Sequence, residues 1–77
     1  MARQMYMPKL NEIESDISVA DWLVDVGDTI KEGKSVISVE TDKVTVEVEA
    51  MVEGKVSRLL VSKGDMVKVG QPILEVE

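Results

Sequence analysis

The 77-residue sequence repeats itself at a spacing of 37 residues, and that duplication constrains its fold more than any other feature. Gly27-Asp28-Thr29-Ile30-Lys31-Glu32-Gly33 falls on Gly64-Asp65-Met66-Val67-Lys68-Val69-Gly70. Outside this segment, Val19, Leu23 and Val24 fall on Val56, Leu60 and Val61, and Val39-Glu40 falls on Val76-Glu77. Turns match turns and aliphatic residues match aliphatic residues. Two copies of one supersecondary unit, neither able to cover its own apolar face, are expected to pack on each other about an approximate twofold axis. The reading is one domain over residues 1–77, with halves at about 5–40 and 41–77 and with residues 1–4 expected to be disordered or vector-derived.

Each half reads as short strands. Val and Ile dominate the aliphatic residues, the only aromatics are Tyr6 and Trp22, and β-branched side chains suit a pleated surface better than a helix. In Val44-Thr45-Val46-Glu47-Val48-Glu49-Ala50 the even positions are apolar and the odd ones polar, the period of a strand with one buried face. Less regular strands are expected near Ile17–Val24, Val36–Thr41, Lys55–Val61 and Pro72–Val76, with glycines at 27, 33, 54, 64 and 70 marking the turns between them. The fold class is all-β, a two-sheet sandwich or flattened barrel.

Composition narrows the chemistry. With neither cysteine nor histidine, the chain has no material for a disulfide, a thiolate or imidazole metal site, or a neutral-pH imidazole base. So small a domain does not wall off a deep substrate cleft. Its 15 acidic against 9 basic residues give a net charge of −6, which repels nucleic-acid phosphates and anionic lipid surfaces. No apolar run approaches a membrane span, and Met1–Met5 shows no secretory pattern. Neither a nucleic acid nor a membrane is an expected partner.

The repeat also shows where the halves differ. The first copy runs on from Glu40 through Thr41-Asp42-Lys43-Val44 into another strand, where the second copy reaches Glu77. A type I turn accepts most residues at its centre, so Asp42 and Lys43 can form a hairpin tip without glycine. One lysine is thereby placed at an exposed apex. A nucleophilic lysine needs burial or neighbouring cations, whereas Lys43 has Glu40, Asp42, Glu47 and Glu49 around it. Its chemistry therefore has to be supplied from outside, as on a carrier rather than an enzyme.

Glu40-Thr41-Asp42-Lys43-Val44, with Val26-Gly27-Asp28 and Glu32-Gly33 before it and Glu53-Gly54-Lys55-Val56 after it, resembles the lipoyl domain of the acyltransferase component of 2-oxo acid dehydrogenase complexes. Met7-Pro8-Lys9-Leu10 and Trp22-Leu23 are also similar to that family's first strands. The resemblance implies two four-stranded antiparallel sheets with quasi-twofold symmetry, a barrel-sandwich hybrid. It also implies that Lys43 carries lipoic acid through an amide, with Glu40, Thr41, Asp42 and Val44 as recognition context. The partners it implies are a lipoate ligase or lipoyltransferase, a thiamine-diphosphate-dependent 2-oxo acid decarboxylase, the acyltransferase catalytic domain and dihydrolipoamide dehydrogenase. The arm on Lys43 would carry acyl groups and electrons between them, in the cytoplasm of a prokaryote or the mitochondrial matrix of a eukaryote.

Two alternatives stand beside this one. A biotinyl carrier shares the fold group, but its modified lysine normally lies between two methionines, where Lys43 has Asp42 and Val44. An unmodified structural or adaptor barrel is the other. Trp22 reads as a partly buried anchor, Met1, Met5, Met7, Met51 and Met66 as packing or terminal residues, and Glu47 and Glu49 as a wet strand face that can also tune partners. The family often begins its second strand with an acidic residue and glycine; Asp16-Ile17 stands there instead, after the acidic stretch Leu10–Asp16, so the shape of that loop is expected to differ.

Overall fold

A computed structural model describes residues 3–10 and 16–77. Its elements, in chain order, are β1 (Arg3–Tyr6), β2 (Ile17–Trp22), β3 (Thr29–Ile30), β4 (Ser35–Glu40), β5 (Thr45–Glu49), β6 (Gly54–Leu59), β7 (Met66–Val67) and β8 (Pro72–Val76). They form two four-stranded antiparallel sheets, ordered β1-β8-β6-β3 and β5-β4-β2-β7, that face each other without closing into a true barrel. The five longer strands expected from sequence are present. Met7–Leu10 is not a strand; the first strand precedes it, and Arg3 and Gln4, expected to lie outside the ordered domain, pair with Val76 and Glu75. The two-residue strands β3 and β7 sit inside the repeated Gly-Asp segments.

The duplication is visible bond by bond. Gly27 donates its amide hydrogen to the Val56 carbonyl and Gly64 donates to Val19, both at 2.8 Å, so each half supplies the acceptor for the other. Leu23 donates to Val36 and Leu60 to Ile73, both at 2.9 Å. The Asp28 and Asp65 carboxylates accept from the backbone amides of Asp25 and Ser62, both at 2.8 Å, fixing the two turns alike. The bulges recur as well. Val36 is the extra residue in β4 opposite β5, as Ile73 is in β8 opposite β1. A bulge turns two consecutive side chains to one side, which is why Val36-Ile37 and Ile73-Leu74 are all completely buried.

The core between the sheets is aliphatic. Ile30, Val36, Ile37, Val39, Ile73, Leu74 and Val76 are solvent-inaccessible, and Met5 and Met7 fill the space beside them. No polar or charged side chain among the described residues is buried. Trp22 is half-buried against this core, and its indole Nε1 donates to the Val61 carbonyl at 2.8 Å. It serves as the expected anchor.

Candidate functional site

The β4–β5 hairpin rises out of this core. Along β5 and its flanks, Ala50 and Val48 are buried, Val46 is half-buried and Val44 is 47% exposed, so the apolar face of the strand leaves the core progressively towards the tip. The sequence alternation expects Val44 to be buried like Val46 and Val48. It is instead 47% exposed and lies just beyond Thr45, the last paired residue of β5. Glu40 pairs with Thr45, which leaves Asp42 and Lys43 as the two residues at the apex. Both are exposed, as is Glu40, while Thr41 is half-buried.

The turn is held mainly by Thr41. Its backbone amide donates to the Val44 carbonyl at 2.9 Å, closing the hairpin. The return bond of an ordinary two-residue hairpin would run from the Val44 amide to the Thr41 carbonyl. Here the amides of both Lys43 and Val44 donate to the Thr41 hydroxyl oxygen, each at 3.2 Å. The hydroxyl in turn is 3.4 Å from the Val44 carbonyl. No non-glycine residue described has a positive φ, so the apex is not a left-handed hairpin turn and needs no glycine. Threonine before a turn was the signal in the sequence for this arrangement, because its hydroxyl can bond backbone groups two and three residues on.

The structure thus brings Glu40, Thr41, Asp42, Lys43 and Val44 together at one projecting turn. A shallow cleft of about 580 Å³ lies elsewhere along β5, lined by Pro8, Leu10, Glu32, Glu47, Glu49 and Met51 among others; Lys43 does not line it. The sequence marked Glu32 only as part of the Glu32-Gly33 motif and Met51 as a packing or terminal residue; Met51 and Met66 are in fact exposed, outside the core that Met5 and Met7 fill. At the positions related by the internal twofold, Val69, Gln4 and Tyr6 stand in place of Glu32, Glu47 and Glu49, so the scaffold does not require the acids. The part of the expected acidic loop at positions 11–15 lies outside the described residues. Ile17 occupies the place where the repeat has Gly54, and it is buried with ordinary backbone geometry.

A family model described as "Biotin-requiring enzyme" (Biotin_lipoyl) matches residues 3–76. The dihydrolipoyllysine-residue succinyltransferase component of the 2-oxoglutarate dehydrogenase complex from Staphylococcus saprophyticus is 40% identical over 70 residues, covering 91% of this chain and 16% of the relative. The dihydrolipoyllysine-residue acetyltransferase component of the pyruvate dehydrogenase complex from Mycoplasma capricolum is 47% identical over 60 residues, covering 78% of this chain and 14% of the relative. The chain therefore spans a small part of the length of these relatives. Among solved structures, the lipoyl domain of the 2-oxoglutarate dehydrogenase complex from Azotobacter vinelandii superposes with a TM-score of 0.71 at 28% identity, covering 96% of this chain and 94% of that one. Kluyveromyces lactis urea carboxylase contains a similar fold, with a TM-score of 0.78 at 28% identity over 100% of this chain and 6% of that one.

Proposed function

The chain belongs to the biotin- and lipoyl-attachment family, and from that premise we propose that it is a lipoyl carrier domain whose Lys43 is joined to lipoic acid through an amide on Nζ. The observation that carries this reading is the placement of Lys43, exposed at the apex of a hairpin that projects beyond the core, with Asp42 and Val44 as its neighbours. The requirement on the protein is an accessible amine on a rigid mount, and Lys43 on the Thr41-bonded turn meets it. A lipoate ligase or lipoyltransferase loads the lysine. When attached, the dithiolane supplies the means to carry acyl groups and electrons. The domain holds the lysine away from its own surface so that other proteins reach it, and supplies no catalytic group.

The relatives' names, acyltransferase components of 2-oxoglutarate and pyruvate dehydrogenase complexes, support a 2-oxo acid dehydrogenase complex as the setting; the partners visited there are a thiamine-diphosphate-dependent decarboxylase, the acyltransferase domain and dihydrolipoamide dehydrogenase. Tethering favours such a cycle because a linked arm meets each active site at an effective concentration of about millimolar or more. The setting is the cytoplasm of a prokaryote or the mitochondrial matrix of a eukaryote. A biotinyl carrier is the second reading, favoured by the likeness to urea carboxylase. Backbone likeness serves both readings equally, and the side chains flanking Lys43 favour the lipoyl one. Co-expression with a lipoate ligase or with a biotin ligase, followed by intact-mass measurement, separates them. A lipoyl adduct on Lys43 is expected; a biotin adduct instead would transfer the chain to the second reading, and no adduct with either would leave an adaptor barrel.

A further inference from the structure

Among the described residues, most loop hydrogen bonds of the backbone recur in both halves, joining one main-chain group to another. The turn that holds the lysine is instead tied largely through a side-chain hydroxyl. Thr41 accepts the amide hydrogens of Lys43 and Val44 at its side-chain oxygen, both at 3.2 Å, while its own amide holds the Val44 carbonyl at 2.9 Å. The three bonds tie down the Lys43 backbone nitrogen and both ends of the turn. The apex residues are not part of the aliphatic core: Asp42 and Lys43 are exposed and Val44 is 47% exposed. Order at the tip therefore depends on polar bonds made within the turn, and one hydroxyl makes two of them.

We infer that Thr41 is a positioning residue for the loading of Lys43: its hydroxyl fixes the turn so that the lysine is offered to the modifying enzyme in one pose. The inference rests on the carrier reading above and assigns to Thr41 a role in attachment beyond that of flanking context. The physical basis is that a reacting amine must arrive in a near-attack geometry, and a turn that samples several conformations delivers that geometry only part of the time. Replacing threonine by valine keeps the shape and the β-branch and removes only the oxygen. The released amides are at the surface and turn to water, so local order is lost with little change in global stability. Serine keeps the oxygen.

The test compares the wild-type domain with Thr41→Val and Thr41→Ser, using purified lipoate ligase with lipoate and ATP. In Thr41→Val, amide exchange at Lys43 and Val44 is expected to speed up by about three- to tenfold, the factor that corresponds to one ordinary hydrogen bond. Its loading kcat is expected to fall by a similar factor of about three- to tenfold, with KM nearly unchanged because docking uses the rest of the surface. Thr41→Ser should recover both readouts to within about twofold, and the thermal midpoint of each variant should stay within about 4 °C of wild type. Loading of Thr41→Val at the wild-type kcat would overturn the positioning role, as would unchanged exchange at Lys43 and Val44. A wild-type domain that the ligase does not load at all would instead sink the carrier reading, and the inference with it, while the exchange data still report on the turn.

Discussion

At the scale of single residues, two positions separate function from folding. Lys43 lies outside the core, so Lys43→Gln should abolish loading by the ligase while changing stability by no more than about 0.5 kcal/mol, as intact mass and a thermal melt would show. Gly54 is the opposite case. Its φ is +142°, and a Cβ built there would lie 2.5 Å from the Glu77 carbonyl oxygen. Gly27 also has a positive φ, +99°, but open space around it. Gly27→Ala is therefore expected to carry only the backbone term of about 1–2 kcal/mol, and Gly54→Ala to lose roughly 1–3 kcal/mol more through the clash. Chemical denaturation of the two variants compares them directly; equal losses would mean that the Glu77 end of the chain moves aside. The sequence made Lys43 legible because it stands where the repeat breaks. It marked Thr41 only as a neighbour, since a hydroxyl's choice between water and a backbone amide depends on turn geometry that residue types alone do not determine.

Within elements, β5 shows how a single strand serves both the core and the site. Its alternation is regular in sequence, yet burial declines from Val48 to Val44. Val48→Ala should cost about 2 kcal/mol through lost burial and an unfilled space, while Val44→Ala should stay within about 0.5 kcal/mol. Urea unfolding of the pair measures the difference, and comparable losses would show that the tip is covered after all. The long strands were legible because period-two patterning and turn glycines bracketed them. The bulges were not, since Val36-Ile37 and Ile73-Leu74 break the alternation that identifies a strand and declare themselves only once the partner register is known. The strands β3 and β7 were missed for another reason: each is two residues long, within a segment whose glycines and aspartates signal turn. The opening strand was displaced because Met5 and Met7 are both core residues on either side of Tyr6, and the pairing with β8 ends where Met7–Leu10 begins.

For the molecule as a whole, the twofold correspondence extends to the ladder beside each outer strand. Arg3 faces Val76 as Val46 faces Val39, so the place that answers to the lysine turn in the second half is the gap between Glu77 and Arg3. The register there matches that beside residues 41–44, so a turn spliced between the two strands would meet the same ladder. Splicing a copy of Thr41-Asp42-Lys43-Val44 across that gap, and reopening the chain in the exposed Gly64-Asp65 turn, should yield a permuted protein that melts cooperatively and takes up two lipoyl groups by mass. A single adduct on a well-folded permutant would mean that the ligase reads more than the spliced turn. If both sites load, the duplicated architecture can seat an arm at each of its two related ends.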